Sequence, residues 1–232
     1  MAQHQLKWPP FTRNIKGLAV VLFILWFASV MIAPLSDFVG GFMLVSAAAV
    51  VWEFQVWTLV TYSLWHADFM HLLFNVVVLW LFGAEVDQRW SAARWWRFNA
   101  LCALGGGAAV VLSQLVLQSF HPTLGYSGAV MGVVAAFAWY NWDRTIYLFF
   151  FPMKGKVLLL VFIAVDIFIV VVGREPISVA AHLGGMATGL LIVSEWWRPK
   201  RWKLAWQRRK FKKHREQFQI IQRDPESDKY VN

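Results

Sequence analysis

The sequence predicts an all-α membrane protein: a bundle of six transmembrane helices with a long interfacial loop after the first one. Of the 232 residues, 59% are hydrophobic and 15% are charged, whereas a soluble domain is roughly 45–50% apolar and 25% charged. The excess apolar residues stand in long runs, which is the pattern of membrane-spanning helices. The single cysteine, Cys102, excludes a framework of internal disulfide bonds.

The apolar runs are separated by short polar or charged segments, and each run is long enough to be interpreted as a transmembrane helix. The first run is longer than the apolar part of a signal peptide and lacks a small-x-small cleavage site, so we interpret it as a span. The six spans are predicted over residues 17–35, 70–84, 98–117, 126–140, 157–172 and 178–197.

The stretch 36–65 is apolar but interrupted by Asp37, Gly40 and Glu53, and it carries several tryptophans. Amphipathic aromatic side chains suit the headgroup region of a bilayer. We therefore predict a long interfacial loop with short helical pieces. The predicted organisation is a cytoplasmic N-terminal segment 1–16, a membrane domain 17–197 and a basic cytoplasmic tail 198–232.

Lysine and arginine are distributed very unequally between the two sides that six spans define. The N-terminal segment, the loops after spans 2 and 4 and the tail hold 21 of the 22 basic residues, and the other side has only Arg174. Basic residues accumulate in cytoplasmic loops, so both termini are predicted to be cytoplasmic. The net charge of +9 is thus mostly a signal of topology and does not indicate nucleic-acid binding. Binding of the basic tail to anionic lipid headgroups is a further interpretation that the charge leaves open.

This topology predicts that three polar motifs meet. Spans 2, 4 and 6 all begin at the outer face: His66, His71 and Asn75 stand at the start of span 2, Ser127 begins span 4, and His182 lies early in span 6. A serine hydroxyl is a poor nucleophile unless a base takes its proton, and a histidine can do so. The arrangement predicts a hydrolytic site toward the outer face.

Span 4 is short for a transmembrane helix. Its 15 or so residues cover roughly 22 Å, against a hydrocarbon layer of about 30 Å. If its inner end reaches the interface, Ser127 lies in a recess below the outer surface. The loop 118–125 must then dip into the protein, where irregular backbone requires a protein or water-filled surrounding.

Glycines recur every four residues on spans 4 and 6. Gly128 and Gly132 share one face of span 4, and Gly185 and Gly189 share one face of span 6. Small residues at this spacing let two helix backbones approach closely. The pattern predicts that spans 4 and 6 touch, which would bring the serine to the histidine, although it is also common in ordinary membrane packing.

His71 and Asn75 are one helical turn apart and therefore lie on the same face of span 2. Both carry hydrogen-bond donors, so both can face a developing oxyanion, and the backbone N–H of Ser127 adds a third donor. His66 lies just outside the helix, where its simplest interpretation is a histidine that hydrogen-bonds the loop.

These residues resemble the rhomboid family of intramembrane serine proteases over about residues 55–193. The resemblance implies a six-helix fold, a catalytic dyad of Ser127 and His182 without an aspartate, an oxyanion site from His71, Asn75 and the Ser127 N–H, and cleavage of transmembrane-segment substrates near the outer face. The matching residues are Trp57, Thr61, Tyr62, His66, His71, Asn75, Glu85, Arg89, Gly125, Ser127, Gly128, Ala181, His182 and Gly185.

Two positions depart from the family's pattern. Thr58 follows Trp57 where many members have arginine, and Met131 stands one turn after the serine where some bacterial members have a tyrosine that stacks on the catalytic histidine. A thioether can pack against an imidazole, but it holds the ring less strictly. We assign supporting roles to His66, Gly125, Gly128, Met131 and Gly185.

Other functions fit the sequence less well. His66, His71 and His182 could in principle bind zinc, but no HExxH motif is present, so neither a metal nor another cofactor is predicted. A non-catalytic rhomboid-like protein that binds transmembrane helices is the main alternative, and the presence of both Ser127 and His182 argues against it. The predicted partners are transmembrane protein substrates and membrane lipids.

Asp166 in the middle of span 5 favours a transporter or channel slightly, because intramembrane acids often mark ion pathways. We expect it to lie a turn or more deeper than His182, protonated or hydrogen-bonded within the bundle, and so not to be a third catalytic residue. The compact six-helix form predicts a multi-pass protein of a prokaryotic cell membrane.

Overall fold

The computed structural model describes residues 8–148, 151–173 and 176–195, together with residues 207 and 210. The beginning of the predicted N-terminal segment and nearly all of the predicted tail 198–232 lie outside these residues. Within them the chain forms α1 (Arg13–Met31), α2 (Ala33–Phe42), α3 (Thr58–Thr61), α4 (Phe69–Gln88), α5 (Ala92–Leu117), α6 (Ser127–Tyr140), β1 (Thr145–Leu148), β2 (Phe151–Lys154), α7 (Gly155–Val171) and α8 (Pro176–Ser194).

Three helices of the described part are long and apolar enough to cross a membrane, namely α1, α4 and α5, and α6 and residues Val179–Ser194 of α8 are shorter apolar helices. Large hydrophobic side chains such as Phe23 on α1 and Val116 on α5 are exposed, which suits a lipid surrounding. The chain is therefore a helical membrane protein, while the count of six spans stays a prediction.

The segment between α1 and α4 contains short helical pieces: α2, α3, a π-helical turn Ala48–Trp52 and a 3-10 turn Tyr62–Leu64. Hydrogen bonds hold this segment in place. The Trp57 indole donates to the Phe42 carbonyl at 2.7 Å, and the Tyr62 hydroxyl donates to the Ala103 carbonyl on α5 at 3.0 Å. These bonds hold α3 against the helices; the location of the loop at a membrane interface stays a prediction.

The charged segment after α6 is not the simple loop that the sequence analysis predicts. β1 and β2 pair antiparallel, with Thr145 opposite Lys154 and Ile146 opposite Met153, and Lys156 forms an ion pair with Asp143 at 2.9 Å. The residues that pair are rich in β-branched and aromatic side chains, which favour strands. Because charged residues stand on either side of this run, the sequence was interpreted as a charged loop and the two strands were not predicted.

The two helices that carry the serine and histidine motifs pack with their backbones in contact. A Cβ on Gly185 of α8 would overlap the Gly128 carbonyl of α6, and one on Gly189 would lie 2.6 Å from the Gly132 oxygen. The predicted close approach through small residues is therefore confirmed. α8 packs against α5 as well, and α5 also contacts α6, so the three helices pack together.

Candidate active site

Ser127 is the first residue of α6, and Gly125 shapes the chain that leads into it. Gly125 has φ +124°, which side-chain-bearing residues rarely adopt. Its N–H donates to the Tyr62 carbonyl at 3.1 Å. A Cβ at Gly125 would lie 2.8 Å from His71 Nε2 and 3.8 Å from Ser127 Oγ. The structure thus brings the serine hydroxyl and the His71 ring close to one point beside Gly125.

Tyr126, which precedes the serine, is held from two sides. Its backbone N–H donates to His66 Nε2 at 3.4 Å, and its hydroxyl donates to Asn99 Oδ1 of α5 at 3.0 Å. Tyr126 caps α6 without a side-chain hydrogen bond to the helix. The first N–H groups of a helix lack intrahelical partners, so the N–H groups beside Ser127 can serve as donors to another group.

The start of α4 carries the two histidines and the asparagine. Asp68 caps the helix by accepting from the His71 N–H at 2.8 Å. The His71 ring meets His66 edge to face at a centroid distance of 5.1 Å. Buried Asn75 donates through Nδ2 to the His71 carbonyl at 3.0 Å. Because an amide nitrogen carries two hydrogens, one N–H of Asn75 remains for a further acceptor.

His66 lies in the loop just before α4, outside the helices, and it is buried. Burial, and secondarily the neighbouring His71, lower the pKa of His66 to about 3, with Asp68 acting in the opposite direction. Its imidazole is therefore neutral at pH 7. A neutral ring has one nitrogen free to accept, which agrees with the bond from the Tyr126 N–H.

The hydrogen-bonding partner of His182 is an acid. His182 Nδ1 lies 2.8 Å from Asp166 Oδ1, with Asp166 only 3% exposed. Within the described part of the chain, no hydrogen bond joins His182 to Ser127. Catalytic hydrogen bonds are often long before substrate binds.

The depth predicted for Asp166 is wrong. Asp166 lies five residues before the end of α7 at Val171, and His182 lies six residues after the start of α8 at Pro176. Offsets of five and six residues from the connection between α7 and α8 differ by only about 1.5 Å of helix rise, and the 2.8 Å contact between the two side chains places them at similar depth. The expectation that Asp166 is hydrogen-bonded within the bundle is confirmed.

Met131 lies where α6, α7 and α8 meet, in a cluster with Leu159 and Met186. Met186 follows His182 by one turn and so shares its face of α8. In the described residues, no group of three or more histidine, cysteine or acidic side chains is arranged to hold a metal ion.

These features define a helical membrane protein with serine and histidine on two helices in backbone contact. The profile of the Rhomboid domain matches residues 53–198, well over half of the chain. The chain therefore belongs to the rhomboid family.

Two curated relatives are similar to it. The RHOMBOID-like protein 12, mitochondrial, of Arabidopsis thaliana is 27% identical over 149 residues, which cover 58% of this chain and 44% of the relative. The Rhomboid protein 1, mitochondrial, of Saccharomyces cerevisiae is 30% identical over 132 residues, or 54% of this chain and 38% of the relative. The chain thus matches less than half the length of each. Both relatives are named as mitochondrial proteins, which does not fit the expectation of a prokaryotic cell membrane.

Two acidic residues near the site received no site role in the sequence analysis. Asp68 has a sequence signal, since an aspartate three residues before His71 and directly before an apolar run is typical of a helix N-cap. Asp166 was visible as an intramembrane acid, which by itself indicates a functional partner. Its pairing with His182 depends on where α7 ends and α8 begins, which the sequence does not fix closely enough.

Proposed function

We propose that this protein is an intramembrane serine endopeptidase. Ser127 attacks a peptide carbonyl, and His182 takes the proton from its hydroxyl and returns it to the leaving amine. The observation that supports this most is that α6 and α8 touch at Gly128 and Gly185, each one turn or less from the proposed nucleophile and base. Membership of the rhomboid family supports the same reading.

The negative charge of the tetrahedral intermediate requires donors, and three groups are available. We assign them as His71, the second N–H of Asn75, and the backbone N–H of Ser127 at the start of α6. Donors held in place in a partly dry site stabilise the transition state more than the ground state. The proximity of the His71 ring and Ser127 Oγ to one point beside Gly125 supports this assignment.

The proposed substrates are transmembrane segments of other proteins, cut near the outer face. The scissile segment must unwind to reach the serine, and each unsatisfied backbone group in lipid costs several kcal/mol. Glycine or proline near the cleavage site should therefore accelerate cleavage. The measurement is the cleavage rate of a model transmembrane substrate before and after its helix-breaking residues are replaced by leucine; equal rates would mean that unwinding does not limit cleavage.

The distribution of basic residues supports a multi-pass protein with both termini on the cytoplasmic side, or on the equivalent side of an organelle membrane. The same charges make anionic lipid headgroups the proposed partners of the tail.

The test of the activity uses the purified protein in detergent, a fluorophosphonate serine probe and a model transmembrane substrate. Wild type should be labelled and should cleave, whereas Ser127→Ala and His182→Ala should each lose cleavage. Ser127→Ala should keep the wild-type Tm because it removes only a hydroxyl group, whereas His182→Ala should lower the Tm because buried Asp166 loses its hydrogen-bond partner. Cleavage by Ser127→Ala at the wild-type rate would refute the serine-protease proposal. Substrate binding without any cleavage by wild type would favour a non-catalytic helix-binding protein.

A further inference from the structure

The contact between Asp166 and His182 joins the proposed base to a buried acid on a separate helix. Asp166 Oδ1 lies 2.8 Å from His182 Nδ1, and the side chains are 4% and 19% exposed. The second carboxyl oxygen, Oδ2, is buried and has no hydrogen-bond partner among the described residues. A carboxyl group in this setting is costly to bury unless it is paired, and His182 is the partner that the structure provides.

The nitrogen that Asp166 contacts decides what the other nitrogen can do. If the carboxylate accepts a hydrogen from Nδ1, the hydrogen of the neutral imidazole is on Nδ1 and the lone pair is on Nε2. Nε2 is then free to take a proton. The opposite arrangement, a protonated Asp166 that donates to Nδ1, would put the hydrogen on Nε2 and disable the base.

We propose that Asp166 is a positioning residue that accepts from His182 Nδ1–H, orients the ring and completes a triad of Ser127, His182 and Asp166. This inference rests on the proposed function of the first two residues. It departs from the dyad that the family resemblance implies.

Every proton is accounted for in this arrangement. The Ser127 hydroxyl proton moves to His182 Nε2 as Oγ bonds to the carbonyl carbon, whose oxygen becomes the oxyanion. The same proton then moves from Nε2 to the amine nitrogen as the carbon–nitrogen bond breaks. A water molecule repeats the two steps and releases the acid. Asp166 stays a carboxylate throughout and stabilises the imidazolium that forms between the transfers.

A purely structural role is the competing explanation, because the same hydrogen bond also ties α7 to α8. The experiment therefore compares Asp166→Asn with Asp87→Asn. Asp87 is a second buried acid, 6% exposed, whose Oδ1 accepts from the Asn14 amide at 2.8 Å. It lies at the other end of α4 from His71, so it controls for loss of a buried carboxylate.

Full-length protein in detergent is measured for kcat, KM, Tm and the nitrogen-15 NMR shifts of the His182 ring. The proposal expects Asp166→Asn to lower kcat by about 10²–10⁴-fold, with KM and Tm close to wild type. In wild type the NMR shifts should report hydrogen on Nδ1 and none on Nε2. Asp166→Glu should recover part of kcat, and Asp87→Asn should retain it.

Four results would overturn the proposal. Full kcat in Asp166→Asn would remove Asp166 from the triad and leave the serine protease intact, provided that Ser127→Ala is inactive. A fall in Tm that accounts for all of the lost activity would make Asp166 a brace. Hydrogen on Nε2 of wild-type His182 would reverse the proposed bond. Wild-type protein without any Ser127-dependent cleavage would refute the triad together with the proposed function.

Discussion

At the scale of single residues, Gly125 combines an unusual backbone conformation with a position next to the proposed site. Its positive φ is strained for any other residue, and a Cβ there would also collide with the His71 ring. Gly173 is a matched control, because it also has a positive φ, +77°, but has open space around it.

We expect Gly125→Ala to lower the Tm and to reduce cleavage at least 10-fold. Gly173→Ala should show only the backbone strain, about 1–2 kcal/mol, with normal cleavage. The readouts are thermal unfolding in detergent and kcat/KM. Equal effects of the two changes would mean that the His71 ring moves aside without consequence.

The neutral ring of His66 leads to a second prediction, on how the stability of the protein depends on pH. Its pKa of about 3 is below the ordinary value of 6.5, which the unfolded chain adopts. Between these values the unfolded chain binds a proton that the folded chain does not, so stability falls as pH decreases through this range. Above pH 6.5, His66 is neutral in both the folded and the unfolded chain, so its protonation no longer lowers the stability.

His66→Gln is the comparison, because a glutamine oxygen can still accept from the Tyr126 N–H and does not titrate. The Tm of wild type should fall more between pH 7.5 and 5 than the Tm of His66→Gln. The other histidines are common to both proteins and cancel in the difference. Parallel pH dependences would show that His66 is not neutral in the folded protein.

Asn75→Ala tests the proposed oxyanion site. Removing one donor lowers kcat about 10²–10³-fold, and the Ser127 N–H and His71 should sustain weak activity. Gln88→Ala is the control, because Gln88 on the same helix also donates to the carbonyl four residues earlier, at 2.9 Å. A normal kcat in Asn75→Ala would exclude this residue from the site, and a lower Tm with an altered KM would indicate a brace for the loop.

At the scale of elements, the contact of α6 with α8 holds the site together. We expect Gly185→Val to lower both Tm and the rate of cleavage. Even a single added Cβ would overlap the Gly128 carbonyl, so a branched side chain cannot fit there. Gly17→Val on α1, where nothing lies within 4 Å, should change neither. The measurement is thermal unfolding together with the cleavage rate. Unchanged behaviour of Gly185→Val would mean that the helices are farther apart in the membrane.

At the scale of the whole molecule, the charge distribution predicts which loops share a side. The only native cysteine is buried, so single cysteines can be added without removing it. In sealed vesicles of known orientation, a membrane-impermeant maleimide should label His121→Cys and Asp143→Cys from opposite sides. Wild type is the control and should react from neither side. Labelling of both from one side would refute the six-span topology.

The sequence alone determined the class of this protein and the family motifs. Long apolar runs predict membrane helices because burying backbone in lipid requires internal hydrogen bonds. The glycine spacing predicted the contact of α6 with α8, since only small residues allow it. The short length of α6 followed from its apolar run, which the structure gives as 14 residues.

Only the tertiary structure decided how individual polar groups pair. The bond from Tyr126 to His66 joins residues 60 positions apart, and no periodicity predicts such a pair. The bond between His182 and Asp166 depends on where α7 ends and α8 begins, and a shift of a few residues moves the acid by a turn. Hydropathy predicts the ends of a helix only approximately, because caps and packing set them. The contact of His182 with Asp166 could therefore be identified only in the folded chain.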